Sequence, residues 1–305
     1  LTKDHNTIVT TAAALPAWRQ SLQDLSALVK LRLSLTVVLS SVLAYLVALP
    51  AGSFSWWALF VLSTGGMLTT ASANVLNEIL EREYDQQMAR TKDRPIAAGR
   101  LTMSDALLYA GFMSLIGITL LALFNPWTAF LGTFSLVSYA FVYTPLKRVG
   151  PSAVLIGAIP GALPALIGCA AAEGSVSWLG FTLFVMQFFW QLPHFYAIGY
   201  LGFNDYKKAG FRLVPELNGQ VDAQKLGRDA WLAAIILVPL SFVPYLLFAV
   251  SLPASIIVAL IGIAFSQFAW KFWQSPMRQT ALRMMFASFA YIPLAFLIFW
   301  LDQLI

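Results

Sequence analysis

The chain has one cysteine in 305 residues. That residue, Cys169, lies inside an apolar run, which excludes a disulfide framework and a thiolate metal site. Histidine is almost as scarce, with only His5 and His194. Charge is short as well. Asp, Glu, Lys and Arg make up 11% of the residues, where a soluble domain carries roughly 25%. The stretches between apolar runs are too short for a separate soluble domain, and no basic domain is present to grip a nucleic-acid backbone.

Apolar runs are what the chain has instead. They recur at about 29–50, 55–79, 104–124, 127–145, 152–172, 177–202, 229–250, 253–273 and 282–301, each near the roughly 20 residues a helix needs to cross a bilayer core. The fold expected is an all-α bundle of nine transmembrane helices, with residues 1–27 as an N-terminal tail and 28–305 as one polytopic domain. With nine spans, all 19 Lys and Arg residues fall on one side of the membrane. The positive-inside bias then puts the N-terminus in the cytoplasm and the C-terminus outside. Residues 1–27 hold only Lys3 and Arg19 as bases and no apolar core, so they read as neither a signal nor a transit peptide. The cell inner membrane is the expected location, ahead of the mitochondrial one.

Charge concentrates in "NEILEREYDQQMARTKDRP", residues 77–95. No Gly or Pro interrupts residues 71–94, so the helix of span two should continue to about residue 85. Asn77, Glu81 and Asp85 then recur at i, i+4 and i+8 on one face, with Asn74 and Glu78 beside them. Such a stack at a membrane boundary needs a cation. Hard oxygen donors suit Mg²⁺ bridging to a phosphate, and Arg90, Lys92 and Arg94 follow as phosphate partners. Glu83, Asp93 and Arg82 fit a solvated loop. Span six ends on the same plan in "WQLPHFYAIGYLGFNDYKKAGFRLVP", residues 190–215. There Asp205 is a second metal-side carboxylate, with Lys207, Lys208 and Arg212 nearby. The pattern points to a diphosphate held with Mg²⁺ at the cytoplasmic face.

These motifs resemble the UbiA-type intramembrane prenyltransferases. The family motif N-D-x-x-D-x-x-x-D is met by Asn77-Glu78-x-x-Glu81-x-x-x-Asp85, with Glu for Asp twice. "KLRLSLTVVLSS" (30–41), "MARTKDRPIAAGR" (88–100), "YTPLKR" (143–148), "IGAIPGALPALIGCAA" (156–171), "PHFYAIGY" (193–200) and "DYKKAGFRLVP" (205–215) are similar to the branch that farnesylates heme. Leu31 departs from it where Pro is common, and "FRLVP" departs where "PMLP" is common. The resemblance implies transfer of the farnesyl group of farnesyl diphosphate to a vinyl group of heme B, with hydroxylation, giving heme O. It also implies a heme A synthase as downstream partner. Asn77, Glu81 and Asp85, with Glu78, would hold one Mg²⁺, and Asp205 the other. Arg90, Lys92, Arg94, Lys147 and Lys207 would grip the diphosphate. Tyr143 and Tyr206 either join them or anchor the interface.

The reaction also needs an apolar chamber that keeps water from a carbocation. Phe188, Trp190, Phe195 and Tyr196 offer ring faces to positive charge, or simply pack. Gly157, Pro160, Gly161, Pro164 and Gly168 either line a prenyl channel or let two helices approach closely. His194 has three readings beyond a structural one: iron ligand, propionate partner or proton shuttle. Rival readings are a prenyltransferase acting on a quinone precursor or chlorophyll-type ring, a cation transporter, and a non-catalytic heme-binding factor. A transporter should place acids near the midplane, whereas here Glu173 and Asp302 fall at outer span ends.

Overall fold

The computed structural model describes residues 17–50 and 52–305; Lys3 and His5 lie outside them. A short helix α1 (Ala17–Leu28) precedes the first long one, α2 (Leu31–Ala48). Lys30 separates the two in a left-handed conformation, φ 46°. Next come α3 (Trp56–Asp85), α4 (Met103–Ala122) and α5 (Pro126–Val137), the last continued by a π-helical segment, Ser138–Tyr143, and α6 (Thr144–Leu146). The second half holds α7 (Ser152–Glu173), α8 (Trp178–Leu201), α9 (Phe203–Lys208), α10 (Ala223–Leu240), α11 (Val243–Leu246), α12 (Leu252–Gln274) and α13 (Arg278–Asp302). A two-stranded hairpin, β1 (Glu216–Leu217) and β2 (Gln220–Val221), lies between α9 and α10.

Local chemistry sets the helix starts. Ser55, Thr102, Asn125, Ser177, Asp222 and Ser251 each accept a backbone N–H of the first turn through their side chains. Gly174, at φ 78°, closes α7. A proline inside α7 leaves a carbonyl that a neighbouring helix answers. Pro164 cannot donate to the carbonyl of Pro160, and Ser135 Oγ does so instead at 3.2 Å.

Among the described residues, eight helical segments are long and apolar enough to cross a membrane. They match the expected spans except for the sixth, and the seventh begins earlier, at Ala223. The sixth is present as the 24-residue α8, but Gln187, Gln191, Pro193 and His194 dilute its apolar character. Trp56, Trp57, Trp127 and Trp178 stand exposed at the starts of α3, α5 and α8, in the manner of an interfacial aromatic belt. Packing closes the bundle into a circuit: α2, α3, α4, α5, α7, α8, α10, α12 and α13 each touch the next, and α13 returns to α2. Gly168 on α7 permits the closest approach, since a Cβ there would run into the Ser41 carbonyl and Tyr45 amide of α2. The helix of span two runs on to Asp85, carrying its polar face beyond the apolar part.

Candidate active site

The polar face of α3 points inward. Asn74, Asn77, Glu78, Glu81 and Asp85 are all buried, whereas Arg82 and Glu83 on the same turns are exposed. Three cations from other segments meet this face. Lys30 Nζ donates to Asn77 Oδ1 at 2.7 Å. Lys147 Nζ lies 2.8 Å from Glu81 Oε1. Arg94 donates to Asp85 Oδ2 at 2.7 Å and lies 3.7 Å from Glu78 Oε1.

Each of the three cations is held by a local device. The break at Lys30 is fixed by Asn74, whose amide donates to the Val29 carbonyl and to Ser34 Oγ. The π-helical turn before Pro145 sets Thr144 against Asn77, which donates to Thr144 Oγ1 at 3.1 Å. The same turn leaves Lys147 over the Tyr143 ring, 4.8 Å from its centroid. Arg94 closes the loop that starts at Asp85, where Thr91 Oγ1 donates to the Asp85 carbonyl. Burial, with the nearby Arg94 and Lys147, pushes the Lys30 ammonium well below its ordinary value, with Glu78 and Glu81 pulling the other way. Burial also opposes the charge on Lys147, but Glu81 together with Tyr139 and Tyr206 holds the ammonium above its ordinary value. Asp85 and Glu78 do the same for Arg94 against its burial.

Carboxylate capacity is left over. Both oxygens of Glu78 and Oδ1 of Asp85 are buried without a hydrogen-bond partner, a costly state unless a cation completes the set. Among the described residues no three His, Cys, Asp or Glu side chains converge enough to enclose a metal alone. That donor set suits Mg²⁺, which keeps waters and takes phosphate oxygens as ligands, rather than a closed protein cage.

The second polar loop meets the first. Arg90 donates to Tyr206 Oη at 3.1 Å and stacks on its ring. Met88, Ala209 and Phe211 bury one another between the loops, with Tyr84 and Tyr206 against them. Asp205 is half-buried on α9 and its carboxylate has no partner among the described residues. Lys207 turns toward the hairpin, bonding Glu216 Oε2 at 2.9 Å and the Gly219 carbonyl at 2.6 Å. Lys92 is exposed and unpaired.

Above the acids lies a cavity of about 260 Å³ between α2, α3, α5, α7, α8 and α13. Gly157, Pro160, Gly161 and Pro164 line it, as do Tyr143, Trp190, His194 and Phe195. Gly168 does not, and serves helix approach instead; Phe188 and Tyr196 pack against neighbouring core residues. Leu33, Leu39 and Phe289 line the cavity and are also exposed outside, so the chamber opens sideways. Lys30, Tyr139, Gln187, Gln191 and Ser288 were not singled out as site residues by sequence. Only the glutamines carried a signal, as an i, i+4 polar pair in an apolar span.

The fold and site are those of a helical membrane protein with a buried carboxylate–cation cluster beside a cavity, and the comparisons give it a family. A model of the UbiA prenyltransferase family matches residues 37–292. The chain belongs to this family and is a prenyl-transferring enzyme. Among similar proteins is the "Protoheme IX farnesyltransferase" of Cytophaga hutchinsonii, 38% identical over 278 residues, covering 91% of this chain and 96% of that one. The protein of that name from Christiangramia forsetii is 38% identical, with 93% and 94% covered. The mitochondrial one of Arabidopsis thaliana is 33% identical, with 87% and 61% covered. Solved structures share the fold. One, from work on digeranylgeranylglyceryl phosphate synthase in membranes, has a TM-score of 0.76 at 17% identity, covering 93% of this chain and 98% of that one. A UbiA homolog from Archaeoglobus fulgidus bound to DMAPP and Mg²⁺ has a TM-score of 0.68 at 14% identity, with 90% and 99% covered.

Proposed function

We propose that this protein transfers the farnesyl group of farnesyl diphosphate to a vinyl group of heme B. The allylic C–O bond breaks to release diphosphate, and the terminal vinyl carbon bonds the farnesyl carbon. Water adds to the cation left beside the ring and loses a proton, giving the hydroxyethylfarnesyl side chain of heme O. The name borne by relatives aligned over nine-tenths of the chain supports the substrates. One structural observation carries the chemistry: buried, unpartnered carboxylate oxygens on α3, ringed by cations, at the foot of an apolar cavity.

Asn77, Glu78, Glu81 and Asp85 would hold Mg²⁺, with Asp205 reaching a second ion; that a fold relative is bound to Mg²⁺ together with DMAPP supports a divalent metal beside a prenyl diphosphate. Bound there, the metal supplies positive charge against the negative charge that grows on a departing diphosphate. The chain's own residues do the rest. Arg94 and Lys147 exchange their carboxylate partners, and Lys30 its Asn77 amide oxygen, for diphosphate oxygens as the site loads. Arg90 and Lys92 add charge at the mouth, Tyr206 orients Arg90, and Lys207 joins if it leaves Glu216. Gly157 and Gly161 give the prenyl tail room, since a Cβ at either would meet Tyr143 or Gln191. Tyr139, Tyr143 and Trp190 offer ring faces to the allylic cation, and the apolar walls exclude water.

The bundle crosses the membrane nine times in this reading, α8 included, with its acid cluster at the cytoplasmic face of the inner membrane and a heme A synthase downstream. Membranes given labelled farnesyl diphosphate should transfer label to heme B and not to 4-hydroxybenzoate. Label on 4-hydroxybenzoate alone would move the enzyme to another branch of its family.

A further inference from the structure

We propose that His194 is the axial ligand that holds the iron of the acceptor heme, with Nε2 as donor atom and Ser288 as the residue that sets the ring. The inference rests on the reading of heme as acceptor. His194 Nδ1 lies 2.8 Å from Ser288 Oγ. That hydroxyl has a single proton, and its oxygen is 2.5 Å from the carbonyl of Met285, which can only accept. The Ser288 proton therefore goes to Met285, and Ser288 Oγ accepts from His194. Nδ1 carries the hydrogen, and in the neutral ring Nε2 keeps its lone pair.

Nε2 has no hydrogen-bond partner among the described residues and is not sealed off, while the ring lines the cavity. The ring is also clamped. Trp190 stacks on it at 6.0 Å and 13°, and Phe289 meets it edge-on at 4.9 Å. Trp190 Nε1 donates to the Ser288 carbonyl at 2.6 Å, so one serine anchors both aromatic partners. An imidazole with one nitrogen tied to an oxygen acceptor and the other free toward a cavity is the usual state of a metal-binding histidine.

The other readings fit less well. No Asp, Glu, Lys, Arg or Cys lines this cavity, so a propionate would find no full positive charge there. A proton relay through Nδ1 ends at the Met285 carbonyl, which has nothing to pass on. Holding the iron fixes a rigid macrocycle, and with it the vinyl carbon relative to the diphosphate end of the chamber.

Resonance Raman spectra of the purified full chain with ferrous heme test this, using ¹⁵N-histidine protein. We expect an iron–nitrogen band that shifts with the label in the wild type and in His5→Ala, the only other histidine removed. His194→Asn keeps an N–H for Ser288 but lacks Nε2; it should lose the band and regain one on added imidazole. Ser288→Ala should weaken heme binding ~10-fold while leaving farnesyl diphosphate binding unchanged. Metal-free protoporphyrin should bind wild type and His194→Asn alike. A labelled band that persists in His194→Asn overturns the assignment. So does farnesylation of heme by a wild type that shows no histidine band. A protein that neither binds nor farnesylates heme B brings down the proposed function itself.

Discussion

Glu81 and Lys147 show how residue chemistry and stability are tied in this site. The pair is nearly dry, at 6% and 12% side-chain exposure. Removing one charge strands the other, which costs roughly 3–5 kcal/mol for a buried pair. Lys147→Met should therefore lower the thermal midpoint in detergent, and the double variant Lys147→Met with Glu81→Gln should recover much of it. Neither protein should transfer farnesyl. Asp85→Asn alone should cost at least ~100-fold in turnover, a few kcal/mol of lost charge stabilisation, while the protein still inserts and folds. The spacing of Asn77, Glu81 and Asp85 made their shared face legible in sequence, and the structure buries that face. Their cations were not legible as partners. Lys30 lies 47 positions from Asn77, and only the folded break between α1 and α2 brings it there.

At the scale of elements, close helix approach is the controlling feature. Gly168→Ala would push a methyl into the backbone of α2 at Ser41 and Tyr45, a contact that only helix separation relieves. The expected cost is about 1–3 kcal/mol, read as a lower unfolding midpoint. Gly111→Ala on α4 meets nothing within 4 Å and should be neutral or stabilising by up to ~1 kcal/mol. Long apolar runs located the long helices, most to within a few residues and the seventh less closely, because burial in a bilayer leaves a signal far longer than a turn. The smaller elements left none. Residues 1–27 read from sequence only as an N-terminal tail; Ala17–Leu28 form α1, which packs on α2 and α3, with Asp24 and Arg100 paired at 2.8 Å. The π-helical turn at Ser138–Tyr143 has no composition cue apart from Pro145, and it decides where Tyr143, Thr144 and Lys147 stand.

For the whole molecule, the bases among the described residues fall at one set of helix ends, and the acid cluster lies at the same ends. In a Cys169→Ser background, Ser175→Cys and Gln220→Cys should react with a charged thiol reagent from opposite sides of sealed vesicles. Labelling from the same side would break the proposed nine-crossing topology. The central claim is that the α3 carboxylates hold a divalent cation against a prenyl diphosphate. Calorimetric binding of farnesyl diphosphate to the purified protein, with Mg²⁺ and with chelator, measures this most directly. Binding should require Mg²⁺ in the wild type and be lost in Glu81→Gln and Asp85→Asn; tight binding that ignores both the chelator and the two substitutions would contradict it.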